Sequence, residues 1–511
     1  MKKLFQTLFQ RVVVVGLLIL IQLALLLTMI VWFDRYFVYF YVVCVLVSAG
    51  VALYILNAKT NPAYKIAWLI PILLLPVFGG LFYLMFGGGK LTRGERRRMR
   101  AIAENFSSWD WRNPKVLEEL EQKDRSAANQ ARYIQEYAWC PPYKNTSVQY
   151  FRLGEEMFEA MCRELEQAEH YIFLEYFIIQ EGKMWDPILE ILTRKAKEGV
   201  DVRVMYDDLG CIMTLPNGYF RTLRERGIQC QVFNPFIPVL SLRFNNRDHR
   251  KICVIDGHTG FTGGINLADE YINAYEKHGH WKDTAVMLKG EGVRGLTMMF
   301  LSLWDYMSKG REDYDQFLVS RYQKEPVQAP GFVQPYTDSP LDDESVGETV
   351  YLNLINKAER YVYITTPYLI ISNEMVTALC GAAKSGVDVR IVTPHIADKW
   401  YVHAVTRAYY EILAEAGVKI YEYTPGFIHA KTLISDDDYG VVGTINLDYR
   451  SLYLHFECAV WMYQTPCLAD MKEDYAHLME VSQPVTLEQC RSVNWLVKIG
   501  RSILRVFAPL M

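Results

Sequence analysis

The sequence predicts an α/β protein of two similar domains, each a β-sheet flanked by helices, behind an N-terminal transmembrane helical hairpin. Three observations predict it. The chain opens with charge-free apolar runs of spanning length, the rest of it repeats at long period, and one short motif recurs in both copies.

Composition sets the frame. With 511 residues, 51% of them hydrophobic, and a formal charge of −4, the chain can bury the cores of two or three domains, and disorder is not expected to dominate. Ten cysteines lie scattered without a C-x-x-C pair, so neither a disulfide framework nor a zinc site is expected and a reducing compartment fits. No H-E-x-x-H and no G-x-x-x-x-G-K run is present; the chemistry is expected to need no metal and no cofactor.

The membrane region spans 1–100. Residues 12–33 and 37–57 carry no charge, and each is long enough to cross a bilayer, which takes about 20 residues. A third apolar segment, 67–87, is interrupted by Pro71, Pro76, Gly79 and Gly80. With two crossings the nearby Lys and Arg divide eleven inside to one outside; with three, at best seven to five. The positive-inside rule therefore favours a hairpin, the third segment re-entrant or interfacial, and everything after residue 100 in the cytosol. Residues 90–100 hold six basic groups and one acid, a stop-transfer flank that also attracts anionic lipid.

A connector, 101–143, precedes the repeat. AEHYIFLEYFI (168–178) matches AERYVYITTPYL (358–369), AKEGVDVRVMY (196–206) matches AKSGVDVRIVT (383–393), and ERGIQCQVFNP (225–235) matches EAGVKIYEYTP (415–425). Each unit reads as strand, helix, strand, helix, strand, the alternation of an α/β layer. The domains are expected at 144–325 and 326–490, with Pro326 to Pro340 as their junction. The segment 491–511 places Leu496, Ile499, Ile503, Val506 and Leu510 at helical spacing, with Lys498, Arg501 and Arg505 between them. It reads as an amphipathic interfacial helix, with a helix packed on the catalytic core as the plainer alternative.

The recurring motif carries the chemistry. His249, Lys251, Asp256, Gly263 and Asn266 reappear as His429, Lys431, Asp436, Gly443 and Asn446, each shifted by 180 residues. Duplicated core packing accounts for the aspartates but not for His and Lys, because lysine is rarely buried without a partner. Two such sets meeting across an interface would converge imidazoles, ammonium groups and the amides of Asn266 and Asn446 on a phosphoryl group.

HRKICVIDGHTGFTGGIN and HAKTLISDDDYGVVGTIN resemble the paired HKD motifs of the phospholipase D superfamily. LEYFI (174–178), YDDLG (206–210), TTPYL (365–369) and NLDYRS (446–451) are similar, more narrowly, to stretches of the bacterial cardiolipin synthases, as is the hydrophobic N-terminus. Lys282 in HWKDT departs from the arginine common there and puts fine substrate placement in question.

The resemblance implies a bacterial, multi-pass membrane enzyme that joins two phosphatidylglycerols into cardiolipin and glycerol. His249 would attack phosphorus to give a phosphatidyl-histidine while His429 serves as acid and then base. The six motif positions form the catalytic set, with Asp256 and Asp436 bracing the backbone rather than touching phosphate. The family also places carboxylates near Asp283 and Glu457, each expected to cross the interface and orient the opposite histidine. The symmetry of the motifs alone does not say which histidine attacks. Anionic membrane lipids are the expected partners and nucleic acid is not: an acidic chain lacks the extended basic face a nuclease needs. A hydrolytic phospholipase D and a synthase drawing on phosphatidylethanolamine share the motifs and stand as alternatives. A scaffold with a degenerate site does not fit six intact motif positions.

Overall fold

The computed structural model describes residues 37–58, 61–87, 112–235 and 246–510, apart from 77, 309, 311, 324 and 341–343, together with six helical positions between 20 and 28. The expected span 12–33 otherwise lies outside the described residues, as does the basic run 90–100. Two compact units make up the chain, one of them chiefly the N-terminal region and the other the catalytic body.

In the N-terminal unit, α1 (Phe37–Asn57) has the length and composition of a membrane-crossing helix. Val38, Leu46 and Leu53 are each more than 60% exposed, as expected of a surface meant for lipid. The segment 67–87 is not one helix. It is divided between α2 (Pro62–Leu74) and α3 (Gly79–Phe86), both too short to cross. Val51, Ile55, Trp68 and Ile72 form the small core of this unit. Where α3 meets α1, a Cβ on Gly80 would stand 2.5 Å from Ser48 Oγ, so glycine is required. That hydroxyl accepts from Gly80 N at 3.1 Å and donates to Pro76 O at 2.6 Å.

The catalytic unit begins with a helical pair, α4 (Pro114–Lys123) and α5 (Arg125–Ala138). Asp124 caps α5 by accepting from Ser126 N and Ala127 N, the standard remedy for unpaired first-turn amides. From residue 112 on, the expected connector is thus an ordered layer: Leu120, Ala127, Ala131 and Ile134 are fully buried.

The first sheet comprises β1 (Thr146–Phe151), β2 (Tyr171–Tyr176), β3 (Asp201–Asp207), β4 (Gln229–Phe233), β5 (Lys251–Ile255), β6 (Thr259–Gly263) and β8 (Ala285–Gly290), in spatial order β1-β8-β6-β5-β2-β3-β4. Strands β2, β3 and β4 run parallel and β5 pairs antiparallel to β2. All six residues of β2 are buried, the pattern of a strand covered on both faces. By the period of two, Ile172, Leu174 and Tyr176 pack with α6 (Gly154–Glu166) and α7 (Trp185–Lys197). Phe173 faces the other way and stacks on Phe300 of α9 (Val293–Ser308) at 4.5 Å. Between β3 and β4 lies α8 (Tyr219–Glu225).

The second sheet repeats the first. Strands β9 (Phe332–Asp338), β10 (Tyr361–Thr365), β11 (Asp388–Pro394), β12 (Lys419–Tyr423), β14 (Thr432–Ser435), β15 (Tyr439–Gly443), β16 (Glu457–Tyr463) and β17 (Ser482–Val485) stand in the order β17-β12-β11-β10-β14-β15-β16-β9. Read from β12 to β9, this is the order of the first sheet from β4 to β1, with β17 added at one edge. Helices α10 (Val346–Lys357), α11 (Asn373–Lys384), α12 (Trp400–Glu415) and α13 (Cys467–Val481) complete the layers. The duplication extends to backbone detail. Gly199 and Gly386 end matching helices at φ +95° and +98°, a left-handed turn that glycine makes at least cost. The proline-rich stretch expected as a junction holds β9, an edge strand, which is where a proline such as Pro335 is tolerated.

The final helix, α14 (Trp495–Phe507), docks inside out. Its charged side meets the protein: Lys498 Nζ lies 3.3 Å from Glu411 Oε2 and the Arg505 guanidinium sits 4.4 Å above the Tyr409 ring. Trp495, Leu496, Ile499 and Ile503 face outward, 48–67% exposed, and none of the helix's residues is buried.

Candidate active site

The two halves are joined by backbone at the motifs themselves. A two-stranded parallel sheet pairs β7 (His280–Lys282) of the first half with β13 (Gly426–Ile428) of the second, and His429 N donates to Lys282 O at 2.7 Å. On the other side Asp248 bridges Phe456, His249 N donates to Phe456 O at 2.9 Å, and Phe456 N donates to Arg247 O at 2.8 Å. Each histidine is therefore carried beside the segment that holds the opposite half's carboxylate.

The side chains follow. His249 Nδ1 lies 2.9 Å from both Glu457 oxygens, and His429 Nδ1 lies 2.6 Å from Asp283 Oδ2. The carboxylates are exchanged between halves. A carboxylate can only accept, so each Nδ1 carries the hydrogen and each Nε2 keeps its lone pair. Glu457 also accepts from Thr444 Oγ1, and Asp283 accepts from Thr284 N at 2.8 Å. The rings are further fixed by edge-on aromatic contacts, Phe177 on His249 at 5.0 Å and Tyr271 on His429 at 5.6 Å.

Both lysines are buried, each 1% exposed. Lys251 Nζ donates to His249 O at 2.6 Å, and Lys431 Nζ donates to His429 O. Lys431 Nζ also stands 2.8 Å from His429 Nδ1; that nitrogen's hydrogen is given to Asp283, so this contact is electrostatic rather than a donated bond.

Burial dominates the charge states. It lowers His249 to about 3, partly opposed by Glu457, and lowers His429 well below the usual imidazole range, with Lys431 and Lys251 adding to the effect. It lowers Lys251 to about 8 and Lys431 to about 7, and raises Asp283 to about 6 against the pull of Lys431. Burial also pushes on Glu457, but the His249 and His455 rings hold it below the carboxylate range. Lys251 acts on His429 and on Lys431, so the half-sites share one field. The result is a pair of neutral imidazoles beside two ammonium groups weakened by burial, a field that favours an anion.

The other expected residues stand apart. Asp256 and Asp436, counted with the catalytic positions in the motif, occupy the turns beyond β5 and β14 at φ +49° and +55°. Asp256 accepts from the backbone N–H groups of Glu169, His170 and Tyr171, and Asp436 from those of Glu359, Arg360 and Tyr361. They tie one strand to the start of the next and lie a strand's length from the imidazoles. Asn266 accepts from Ile178 N and donates to Tyr271 OH, whereas Asn446 Oδ1 is buried without a hydrogen-bond partner. Lys282 bonds both oxygens of Asp474, at 2.9 and 2.8 Å, so its replacement of arginine is answered by a structural ion pair.

Sequence reasoning missed the acids beneath His249. Arg250 Nε lies 2.6 Å from Glu175 Oε1 and 3.2 Å from Asp248 Oδ1, while Asp207 accepts from Asp248 N at 3.1 Å. These polar residues sit within LEYFI, YDDLG and the motif itself, and their type in an apolar strand was the available signal. It also missed His455, whose ring centroid is 5.7 Å from that of His249.

Paired sheets with twin histidine–lysine motifs and exchanged carboxylates define a phospholipase D-type phosphoryl-transfer protein. The domain family described as "Cardiolipin synthase, PLD-like domain" matches residues 161–289 and again 351–479, and "Phospholipase_D-nuclease N-terminal" matches 43–88. An uncharacterized protein of Streptococcus mutans is 47% identical over 90% of this chain and 100% of its own. A cardiolipin synthase of Geobacillus kaustophilus is 34% identical over 90% of this chain and 91% of its own. A crystal structure of phosphatidylserine synthase from Haemophilus influenzae covers 76% of this chain and 100% of its own, with a TM-score of 0.57 at 14% identity, a likeness of fold. The chain belongs to the cardiolipin synthase family of the phospholipase D superfamily. It is a membrane-associated phosphatidyltransferase that makes cardiolipin from phospholipid.

Proposed function

We propose that one phosphatidylglycerol is donor and a second is acceptor, and that His249 carries the phosphatidyl group between them. Binding of the anionic headgroup draws a proton onto Nε2 of His429, making it an imidazolium; Nε2 of His249 then attacks phosphorus, the bond to the glycerol oxygen breaks, and His429 hands that oxygen its Nε2 proton. His429, now neutral, takes the proton from a terminal hydroxyl of the second phosphatidylglycerol. That oxygen attacks the phosphorus, the P–N bond breaks, and His249 is regenerated. Lys251, Lys431, Asn266 and Asn446 hold the nonbridging oxygens, and an anion there restores the lysines' charge. The exchanged pairing of each imidazole with the other half's carboxylate carries this reading, since it frees both Nε2 atoms at once.

The anchor spans as a hairpin of 12–33 and 37–57, with the catalytic body in the cytosol. There α14 lies on the membrane surface through Trp495, Leu496, Ile499 and Ile503. A site held at that surface meets a second lipid at high local concentration, which favours transfer over hydrolysis.

Purified full-length protein added to pure phosphatidylglycerol vesicles, followed by lipid mass spectrometry, tests donor and acceptor together. Equal cardiolipin and glycerol are expected, and none from His249→Ala or His429→Ala at normal protein level. Phosphatidic acid as the main product, or turnover only with phosphatidylethanolamine, overturns the donor–acceptor assignment.

A further inference from the structure

The half-sites differ in a potential metal donor beside the exchanged carboxylate. Two residues before the exchanged carboxylate, the first half has Trp281 (before Asp283) and the second has His455 (before Glu457). Trp281 lies 5.6 Å from the ring of His429 and His455 lies 5.7 Å from that of His249. The indole brings a single N–H, buried without a partner and with no lone pair to offer a metal, whereas an imidazole brings two nitrogens, one of them a lone-pair donor. Neither nitrogen of His455 makes a hydrogen bond, although both are shielded from solvent, and leaving such groups unpaired is costly. The nearer stands 3.7 Å from Glu457 Oε1. One ring nitrogen from each of His249 and His455 and one oxygen of Glu457 lie within 4.8 Å of one another.

We propose that His249, His455 and Glu457 form an inhibitory site for a transition-metal dication of the zinc type. Two imidazoles and a carboxylate are a zinc donor set, with metal–ligand distances near 2.0–2.2 Å and donors about 3.3 Å apart. His249 Nδ1 and Glu457 Oε1 are already 2.9 Å apart, so a small turn of His455 closes the triangle. The imidazoles select against magnesium and calcium, which take oxygen ligands. Inhibition follows from the tautomer. Metal on His249 Nδ1 displaces the hydrogen that Glu457 held there, the proton moves to Nε2, and the lone pair needed for attack on phosphorus is gone. No bond to carbon changes and no oxidant is involved. The opposite half has Trp281 at this position and no third donor there, so one metal is expected at the paired half-sites. This deepens the proposed reading, because the inhibitory step assumes that His249 attacks.

Binding and turnover are measured separately. Full-length protein, stripped with chelator, is titrated with zinc chloride against a chromophoric chelator, and its synthesis of cardiolipin is followed at buffered zinc in phosphatidylglycerol vesicles, with magnesium as control. One zinc per chain and chelator-reversible inhibition are expected. In His455→Asn, or in His455→Gln should the first misfold, each referred to its own metal-free rate, the zinc needed for half-inhibition should rise about 10- to 100-fold. Absence of zinc binding in the wild type overturns the site, as does equal sensitivity in a folded His455 variant. Zinc bound without loss of turnover overturns the inhibitory step. Lack of cardiolipin synthesis in metal-free protein counts against the proposed reaction and leaves the binding result standing.

Discussion

In the proposed mechanism Glu457, 2.9 Å from His249 Nδ1, sets which nitrogen of His249 faces the substrate. Glu457→Gln keeps the shape and loses the charge, and the new amide presents its N–H side to Nδ1 as readily as its oxygen, which pushes the imidazole hydrogen onto Nε2. A fall in kcat of roughly 10³- to 10⁴-fold is expected, with folding unchanged by thermal melt. Asp283→Asn should act the same way on His429. A loss under about tenfold in both would mean the imidazoles need no orienting group. The residue types were readable from the motif because buried lysine and histidine have no easy packing explanation. The roles of the two motif aspartates were also readable, since a residue at the end of a strand braces a turn. His455 was not singled out, because one histidine in the bend before a strand resembles any other until its neighbours are known.

Among the elements, the helix α14 is the one whose packing defies its composition. Helical spacing gave its apolar stripe, but only the structure shows the stripe turned outward, with Lys498 and Arg505 committed to Glu411 and Tyr409. Paired Ile499→Asp and Ile503→Asp should lower turnover on phosphatidylglycerol vesicles by at least about tenfold while leaving turnover in mixed micelles near that of the unaltered protein. Equal losses in both would assign the helix to fold maintenance instead. The strands of the two sheets were legible for a different reason. Their mainly apolar runs recur in both copies, so each half supports the other. The short pair β7 and β13 was not, since three residues give no periodicity and their pairing depends on how the halves meet.

At the scale of the whole molecule, charges from both halves set one pH response. Below about 6, Asp283 gains a proton and releases His429; above about 7 and about 8, Lys431 and Lys251 lose the charge proposed to receive the phosphodiester. The kcat/KM profile should therefore be a narrow bell. The kcat profile should extend further on the alkaline side, because bound anion holds the lysines protonated. Rates measured from pH 5 to about 10 in one buffer series check this, and superimposable alkaline limbs would refute it. The duplication and the anchoring apolar run were plain from the sequence. The union of the halves into a single body was legible only as an expectation carried by the motif chemistry.

The main-chain bonds from His429 to Lys282 and from His249 to Phe456 set a limit on motion. Swinging the halves apart would break the ladders that aim the imidazoles, so the proposed reaction is expected to run with the two halves joined. In the proposed transfer between two phosphatidylglycerols, only the headgroups then need to reach the imidazoles, and the four acyl tails can stay in the bilayer.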